Sequence, residues 1–341
     1  MLNTVYQLVA PRKFEITYQN ISLLDQDAIV RPAYLSICNA DQRYYQGLRE
    51  AKILQQKLPM ALIHEAVGTV ITDPSGTFRP GEQVVMIPNT PIEEDEVIAE
   101  NYLPSSYFRA SGFDGYMQEY VKIRPDRLIR LPEGIDYTVA AFTEIVSVSV
   151  HALSRFDRFA HERRNQVGIW GDGNLGYITA LLFKYMYPQT KLIIFGINKE
   201  KLSDFTFADE TYTVEHIPEE MNLDHAFECV GGAGSGKAID QIIDLINPEG
   251  TIAILGVSEY PVSVNTRMIL EKGLRFFGSS RSGRADFEKT VSLYQDYPEI
   301  LNYLSNIVGA VVPIRAIRDM KKAFEIDIQK SFGKTIMKWE K

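Results

Sequence analysis

The 341-residue sequence has few cysteines and no long uninterrupted hydrophobic run. Its 2 cysteines, Cys38 and Cys229, exclude a disulfide-rich scaffold and a four-cysteine metal site, and they favour a reducing compartment. Glu144 and Lys184 interrupt the longest apolar stretches, so neither reaches the roughly 20 apolar residues of a membrane-spanning helix. The N-terminal residues lack the charged start and apolar centre of a secretory signal. We therefore expect a soluble, cytoplasmic protein with no membrane span.

Positive charge is also scarce. Lys and Arg number 36 against 44 Asp and Glu, which gives a formal net charge of −8. Proteins that bind nucleic acid through its phosphates usually have the opposite balance, so we expect no nucleic-acid partner. An anionic ligand would therefore need a local group of cations. With 45% hydrophobic residues, a chain of this length predicts about two domains with substantial cores.

The beginning and the middle of the chain have different hydrophobic patterns. Up to about residue 140, short β-like runs alternate with Pro and Gly turn formers, which predicts an antiparallel, barrel-like β domain. From about residue 156, apolar strands alternate with helical segments, which predicts a parallel sheet covered by helices. The sequence therefore predicts an α/β protein in which a doubly wound domain at 151–275 is inserted into a β-rich domain made of 1–150 and 276–341. The predicted strands of the inserted domain are 166–170, 191–196, 225–231 and 251–257, and its predicted helices are 174–187 and 238–246.

The strongest local motif is the glycine-rich turn Gly-Asp-Gly-Asn-Leu-Gly. It follows the strand QVGIW and opens an apolar helix, which is the context that a dinucleotide-binding turn requires. Gly171 permits the tight turn, Gly173 lets a pyrophosphate approach the backbone, and Gly176 permits close packing of the helix on the strand. The alternative is a glycine-rich turn without a ligand. The predicted cofactor-binding residues of this turn are Gly171, Gly173, Asn174, Leu175 and Gly176.

The end of the next strand distinguishes the two nicotinamide dinucleotides. An acidic residue about 20 positions after the motif normally binds the adenosine ribose of NAD. Gly196 stands there instead, and Asn198, Lys199 and Lys201 follow it. An amide and two cations without a fixed negative charge suit a 2′-phosphate, so we expect these four residues to bind NADPH. The alternative is a solvated lysine-rich loop with slight selectivity.

A later strand predicts the other end of the cofactor site. Val257 and Ser258 stand at the end of the strand at 251–257, and ligands of open α/β sheets bind at the carboxyl ends of the strands. We therefore expect both residues beside the nicotinamide. The pattern gives no role to Asp172, the second residue of the glycine-rich turn.

Three parts of the first domain contain residues that could bind a metal. Cys38 follows a strand-like run, His64 and Glu65 stand in LIHEAVG, and Glu144 stands in AAFTEIVSV. A thiolate, an imidazole and a carboxylate together suit a catalytic zinc site with one position left for water or substrate. Each residue also has a structural explanation, because Cys38 would serve as a small core residue, His64 as a buried histidine and Glu144 as a helix-end carboxylate.

The chain resembles the zinc-dependent medium-chain dehydrogenases of the alcohol and polyol type. Cys38-Asn39-Ala40-Asp41 is similar to the first-ligand motif of this family, and His64-Glu65-Ala66-Val67-Gly68 is similar to its G-H-E-x-x-G motif. The resemblance implies a GroES-like catalytic domain beside the Rossmann domain, and a homodimer. It also implies that Cys38, His64 and Glu144 bind zinc, with Glu65 as a fourth ligand or as a carboxylate that exchanges with water.

Further strings resemble a branch of this family that reduces a phosphorylated keto sugar. They are IWGDGNLGYITA, HAFECVGG, LGVSE and GSSRSG. The resemblance implies NADPH-dependent reduction of D-ribulose 5-phosphate to D-ribitol 5-phosphate, with zinc polarising the C2 carbonyl. It also implies a pathway partner, the cytidylyltransferase that makes CDP-ribitol for wall teichoic acid synthesis.

The sequence departs from the family pattern at three places. Ile63 replaces the glycine of G-H-E, and Ala40 replaces the hydroxyl residue that often relays a proton. Proton delivery would then fall to water assisted by Glu65 or Glu144. The third departure is the segment Pro88–Met117, which has no cysteine, so we expect one catalytic zinc per chain and no structural zinc.

A phosphorylated substrate needs cations. Arg43, close after Cys38, is the first candidate, and Arg281 resembles a substrate-side arginine of polyol dehydrogenases. Arg109 is a third candidate for which a surface salt bridge is the favoured alternative, and Tyr44 is expected to pack on the sugar. Two other functions stay open: a zinc polyol or alcohol dehydrogenase that acts on an unphosphorylated substrate, and a metal-free NADPH-binding structural or regulatory protein.

Overall fold

The structure, a computed structural model, describes residues 1–341, which form two units. The first unit combines residues 1–147 with 282–341, and the second consists of residues 148–281. Both ends of the chain therefore build the first unit, and the middle of the chain forms the second. Among all 341 residues, no helix has both the length and the apolar character needed to cross a bilayer.

The first unit is rich in short strands with few long helices. Its strands are β1 (Leu2–Ala10), β2 (Lys13–Asn20), β3 (Ala28–Ser36), β4 (Met60–Ala61), β5 (Glu65–Thr72), β6 (Gln83–Met86), β7 (Asn89–Thr90), β8 (Tyr107–Phe108), β9 (Val121–Ile123), β10 (Leu128–Arg130), β17 (Val308–Ile314) and β18 (Lys334–Trp339). Its helices are α1 (Asn39–Tyr45), α2 (Ala51–Lys57), α3 (Tyr137–Ala140), α9 (Arg284–Asp296), α10 (Glu299–Ser305) and α11 (Ile317–Gln329), and α4 (Thr143–Phe159) contains the boundary between the units.

The main sheet of the first unit is mixed. Its strands lie in the order β10-β6-β5-β3-β18-β17, and β9 also pairs with β3. The pairs are antiparallel except for β17 with β18, which are parallel. A smaller sheet, β2-β1-β4, packs its apolar residues into the same core, which includes Val5, Leu8 and Met60. The C-terminal strand β18 thus pairs directly with β3, near the beginning of the chain.

The second unit is a parallel sheet with helices between its strands. Its strands are β11 (Gln166–Trp170), β12 (Lys191–Gly196), β13 (Glu210–Thr213), β14 (Leu223–Glu228), β15 (Ile246–Ile254) and β16 (Arg275–Gly278). Its helices are α5 (Asn174–Met186), α6 (Lys199–Leu202), α7 (Ser235–Leu245) and α8 (Thr266–Lys272). The strand order is β13-β12-β11-β14-β15-β16. The order reverses beside β11, and the crevice at such a switch point is where α/β sheets bind their ligands.

Two strands of this sheet were not predicted. β13 is short and reads Glu-Thr-Tyr-Thr, without the apolar run that marks a buried parallel strand. β16 begins at Arg275 and pairs with β15, so the sheet continues past the expected domain boundary at residue 275. β16 begins with a charged residue and ends with glycine, so only Phe276 and Phe277 between them are apolar. Edge strands of this kind are recognised by their pairing rather than by their composition.

Candidate metal centre and nucleotide crevice

The expected metal ligands Cys38, His64 and Glu65 lie together in the first unit. Antiparallel pairing places Ser36 of β3 opposite Glu65 of β5, so the residues that follow β3 meet the residues that begin β5. The ligand atoms of the three side chains all lie within 4.8 Å of one another. His64 and Glu65 are buried and Cys38 is partly exposed. Sulfur, nitrogen and oxygen donors at this spacing fit a zinc ion.

The buried carboxylate of Asp41 holds the backbone beside two of these ligands. Its Oδ2 accepts a hydrogen bond from the Cys38 amide at 3.0 Å, and its Oδ1 accepts one from the Ile63 amide at 3.0 Å. His64 Nδ1 lies 3.7 Å from Oδ1. Burial lowers the pKa of His64, but the Asp41 carboxylate and the Cys38 side chain together outweigh burial and raise that pKa well above its usual value. Asp41 stands in the first-ligand motif, so its spacing from Cys38 was the available signal.

Glu65 forms a buried ion pair with Lys334. The Lys334 Nζ lies 2.9 Å from Oε1 of Glu65 and 2.7 Å from Oε2, and both side chains are buried. Burial opposes the charged form of Lys334, but the Glu65 carboxylate raises its pKa above the usual value. Lys334 begins β18 and stands 269 positions after Glu65 in the chain. No local pattern in the sequence signals this lysine.

Glu144 lies outside the group of three ligands. It stands in the first turn of α4 and is buried. Burial raises its pKa to about 7, and the nearby carboxylates of Glu65 and Asp41 add to this shift, while His64 and Lys334 oppose it. Glu144 therefore belongs to the same electrostatic environment as the three ligands. Its role as a zinc ligand stays a prediction.

The departure at Ile63 has a backbone explanation. Ile63 has a φ of 72°, in the left-handed region that favours glycine, and its side chain is buried. Its amide donates to Asp41, and its carbonyl accepts the Tyr116 amide at 2.7 Å. A glycine at this position would suit the conformation better, which accounts for the glycine in the family motif. Here the fixed hydrogen bonds hold a β-branched residue in a strained conformation.

The structure places the four expected substrate residues in different environments. Arg43 is half-buried in the last turn of α1, and Arg281 belongs to the second unit and has a φ of 59°. Tyr44 is 2% exposed within the hydrophobic core, so it offers almost no surface to a sugar, contrary to expectation. Arg109 donates to the backbone carbonyls of Asp114 at 3.3 Å and Lys122 at 2.7 Å, which favours a structural role.

The glycine-rich turn has the geometry that its three glycines predicted. Gly171 has a φ of 128°, which side chains rarely adopt. A Cβ atom on Gly176 would lie 1.9 Å from the Gly171 carbonyl oxygen, so only glycine lets α5 pack this close to β11. A Cβ on Gly173 would meet no atom within 4 Å, which leaves open space before the N-terminus of α5, where Asn174 and Leu175 form the first turn. This space and the helix dipole suit a pyrophosphate.

The end of β12 corrects one expectation. We expected no fixed negative charge there, but the buried carboxylate of Asp172 reaches this strand end from the glycine-rich turn. Its Oδ2 accepts the amides of Ile197 and Asn198, both at 2.8 Å. The sequence rule looks for an acidic residue about 20 positions after the glycine-rich motif, so it does not detect Asp172, which reaches the end of β12 from within that motif. Lys199 and Lys201 lie in α6 just beyond, where their side chains have no ion pair in the structure.

On the other side of the crevice, a second buried carboxylate joins two loops. Glu228, the last residue of β14, accepts the amides of Val230 at 3.0 Å and Gly231 at 2.8 Å on Oε1, and that of Gly256 at 3.1 Å on Oε2. Val257 follows Gly256 and its carbonyl accepts the Gly232 amide, while the Ser258 hydroxyl donates to the Gly232 carbonyl. Val257 and Ser258 thus lie at the carboxyl edge of the sheet, as expected. Glu228 was not predicted, because its partners are backbone amides that no residue pattern displays.

The chain is similar to known proteins along its whole length. The alcohol dehydrogenase GroES-like domain model matches residues 24–133, and the zinc-binding dehydrogenase model matches residues 184–296. A ribulose-5-phosphate reductase of Bacillus spizizenii is 55% identical over 340 residues, which cover 100% of each chain. The chain belongs to the zinc-binding dehydrogenases. This family membership confirms the resemblance that the cysteine and histidine motifs indicated.

Further relatives and solved structures are similar to the chain over nearly its whole length. Ribulose-5-phosphate reductase 1 of Staphylococcus aureus is 55% identical over 99% of each chain. A crystal structure of S. aureus TarJ in complex with NADPH superposes with a TM-score of 0.91 at 50% identity, and covers 100% of each chain. The L-idonate 5-dehydrogenase of Escherichia coli shares the fold, with a TM-score of 0.86 at 20% identity over 99% of this chain and 98% of that chain. The predicted GroES-like and Rossmann architecture is thereby confirmed.

Proposed function

We propose that this dehydrogenase reduces D-ribulose 5-phosphate to D-ribitol 5-phosphate with NADPH and a single catalytic zinc. The observation that carries the proposal is the full-length identity of 55% to a protein named ribulose-5-phosphate reductase, in a chain whose Cys38, His64 and Glu65 donors lie within 4.8 Å of one another. The NADPH in the S. aureus TarJ structure supports the choice of cofactor.

Cys38, His64 and Glu65 would hold the zinc, with Glu144 as a further buried carboxylate. When bound, zinc supplies a Lewis acid for the carbonyl of the keto sugar. Asp41 orients the site, because it fixes the amides of Cys38 and Ile63 and faces His64. Lys334 balances the charge of Glu65, so the buried site holds fewer uncompensated negative charges.

The second unit would hold the cofactor at the carboxyl ends of β11, β12 and β14. When bound, NADPH supplies the hydride. The open space at Gly173 and the N-terminus of α5 would receive the pyrophosphate. Asn198, Lys199 and Lys201, which follow the end of β12 at Gly196, would face the 2′-phosphate. Val257 and Ser258 would lie beside the nicotinamide.

Proton delivery would depend on Glu144 rather than on a hydroxyl residue at position 40. Ala40 has no proton to give. Glu144, with its pKa raised to about 7, can hold or release a proton near neutral pH. Glu65 is held by Lys334 through both of its oxygens, which makes it the weaker candidate.

Arg43 is the first candidate for the cation that binds the substrate phosphate, and Arg281 is the alternative. A guanidinium binds phosphate with two parallel hydrogen bonds, and each charge-assisted contact contributes about 1.5–3 kcal/mol. We further propose that the chain is a cytoplasmic homodimer. Its product would pass to the cytidylyltransferase that makes CDP-ribitol for wall teichoic acid synthesis.

One assay tests the substrate and the metal together. NADPH oxidation is followed with ribulose 5-phosphate, with ribulose and with a simple ketone, each before and after treatment with a chelator. We expect turnover of the phosphorylated sugar, lost on chelation and restored by zinc. Equal rates with ribulose would instead favour a polyol dehydrogenase, such as the D-xylulose reductase of Scheffersomyces stipitis that is 26% identical over 79% of this chain. No turnover and no stoichiometric zinc would favour a binding protein.

The phosphate contact has its own variant. Arg43→Gln should raise the KM for ribulose 5-phosphate at least about tenfold and leave the KM for ribulose within about twofold. Arg318→Gln is the control, because this arginine is 89% exposed on α11. If the KM values for both substrates rise equally in Arg43→Gln, the arginine supports the fold and does not bind the phosphate.

A further inference from the structure

Asp172 is the one residue of the glycine-rich turn to which the sequence assigned no role. A carboxylate beside a pyrophosphate is unfavourable unless its charge is neutralised or directed elsewhere. The structure directs it elsewhere. The side chain leaves the turn after β11 and reaches the end of β12, where its Oδ2 accepts the amides of Ile197 and Asn198 at 2.8 Å each. Asp172 is 9% exposed.

Gly196 leaves the space that Asp172 fills. A Cβ atom built on Gly196 would lie 2.8 Å from both Cβ and Oδ2 of Asp172, and 3.0 Å from a methyl group of Leu202. No side chain fits at the end of β12 while Asp172 holds this position. The absence of an acidic side chain at position 196 and the presence of one at position 172 are therefore linked, because Asp172 occupies the space that a side chain at position 196 would need.

The hydrogen bonds of Asp172 fix the start of the lysine-bearing segment. The Asn198 amide is bound by Asp172, while the Asn198 side-chain Oδ1 accepts the amides of Glu200 at 2.8 Å and Lys201 at 3.2 Å. Asp172 thus fixes the residue that caps α6, and α6 carries Lys199 and Lys201. With both of its bonds made to backbone amides, the Oδ2 atom is not available to a ribose hydroxyl.

We propose that Asp172 is a positioning residue that sets the preference for NADPH over NADH. It does so by holding residues 197–201 where Asn198, Lys199 and Lys201 meet the 2′-phosphate. This inference rests on the proposed use of NADPH. The two cofactors differ at the 2′-phosphate. A residue that acts by positioning residues 197–201 therefore changes the affinity for NADPH and leaves the affinity for NADH nearly unchanged. A residue that supports the fold in general would affect both cofactors alike.

Two variants of Asp172 separate its hydrogen bonds from its charge. Asp172→Asn keeps a side-chain oxygen that can accept both amides and removes the negative charge. Asp172→Ala removes the acceptor and leaves the amides of Ile197 and Asn198 without it. Asp204→Ala is the control, because Asp204 is an exposed acid just after α6. The dissociation constants of NADPH and NADH are measured for each variant by fluorescence titration, with the thermal midpoint as a check of folding.

We expect Asp172→Ala to weaken NADPH binding at least about tenfold and NADH binding less than about threefold, which is a loss of one full-strength contact. Asp172→Asn should restore NADPH binding to within about threefold of the wild type, and Asp204→Ala should change neither cofactor. An unchanged NADPH-to-NADH ratio in Asp172→Ala would overturn the inference. So would a gain of NADPH affinity in Asp172→Asn, because the carboxylate would then repel the phosphate.

The wild-type titration keeps this test separate from the proposed function. If the wild type prefers NADH, the choice of cofactor fails before any variant is made. If the wild type prefers NADPH and the ratio is unchanged in a folded Asp172→Ala, the cofactor assignment stands and the positioning role of Asp172 fails. Should Asp172→Ala not fold, Asp172→Ser takes its place, because the shorter side chain cannot accept both amides; a loss of NADPH affinity alone supports the inference, and an unchanged NADPH-to-NADH ratio overturns it.

Discussion

The metal centre and the nucleotide crevice are built in different ways. Cys38, His64 and Glu65 come from two neighbouring strand ends, but their support includes Lys334, which stands 269 positions after Glu65. The crevice depends on a continuous turn whose glycines act through their own backbone. In both sites a buried carboxylate accepts backbone amides, as Asp41 does in the first. Only the first site adds a buried charge pair, that of Glu65 with Lys334. Loss of a charge should therefore damage the first site more than the second.

The largest expected effect is at the first ligand. Cys38→Ser should remove stoichiometric zinc and lower kcat/KM at least about a thousandfold, because the hydroxyl binds zinc far less well than a thiolate. NADPH affinity should stay within about threefold, since the turn at Gly173 does not depend on the ligand. Elemental analysis measures the zinc content, and a cofactor titration measures the affinity for NADPH. A parallel tenfold loss of NADPH affinity would show that the two sites are not separable.

The next largest effect concerns the buried ion pair. In the metal-free protein, Lys334→Met should lower the free energy of unfolding by about 3–5 kcal/mol, because Glu65 would keep a buried charge without a partner. Lys338→Met is the matched control on β18, where the side chain is 48% exposed and the loss should be under about 1 kcal/mol. Denaturant unfolding measures both.

A second change sharpens this result. Adding Glu65→Gln to Lys334→Met should recover a large part of the lost stability, because the uncompensated charge is gone. If the double variant is no more stable than Lys334→Met, the lysine contributes through packing of its methylene chain, and the charge pairing described above is not what stabilises the centre.

A titration effect is expected in the second unit. His225 is buried in β14, where its Nε2 donates to the His161 carbonyl at 3.1 Å and its Nδ1 accepts the Thr251 amide at 3.1 Å. This pairing fixes the neutral ring, and burial lowers the pKa of His225 to about 4, with His161 adding to the shift. The stability that the neutral ring contributes is present above the unfolded pKa of about 6.5 and is lost as pH falls toward 4.

The wild type should therefore lose about 2 kcal/mol more stability than His225→Gln between pH 7 and pH 4.5. Glutamine does not titrate, and it retains groups for both hydrogen bonds. Unfolding in denaturant at the two pH values gives the difference. Equal losses in the two proteins would mean that His225 titrates in the same range in the folded and unfolded chains.

The smallest effects separate the two glycines of the turn. Gly176→Ala should lower the free energy of unfolding by about 2 kcal/mol, because its Cβ would lie 1.9 Å from the Gly171 carbonyl oxygen. Gly173→Ala should leave stability within about 1 kcal/mol, since no atom lies within 4 Å of its Cβ, but should weaken NADPH binding several-fold. If Gly173→Ala binds NADPH as tightly as the wild type, the pyrophosphate does not approach this position.

The sequence predicted most of the architecture and the local parts of both sites. Gly171, Gly173 and Gly176 form a continuous motif, and Cys38 and His64 stand in motifs of a known family, so local patterns were enough to single them out as candidates. Lys334 could not be predicted, because pairing of strands far apart in the chain brings it to Glu65. The role of Asp172 was missed because its partners are backbone amides, which no residue pattern displays. Tyr44 was assigned to the sugar since the sequence does not show that its ring is buried.

The pairing of Lys334 with Glu65 also has a consequence for the order of assembly during synthesis. A ribosome has already translated Cys38, His64 and Glu65 long before it reaches the codon for Lys334, the start of the strand that pairs with β3. Until then the nascent chain carries three potential ligands whose carboxylate has no counterion. The metal centre thus reaches its final charge balance only after β18 has emerged and inserted beside β3. Completion of the site is therefore delayed until nearly the whole chain has been synthesised.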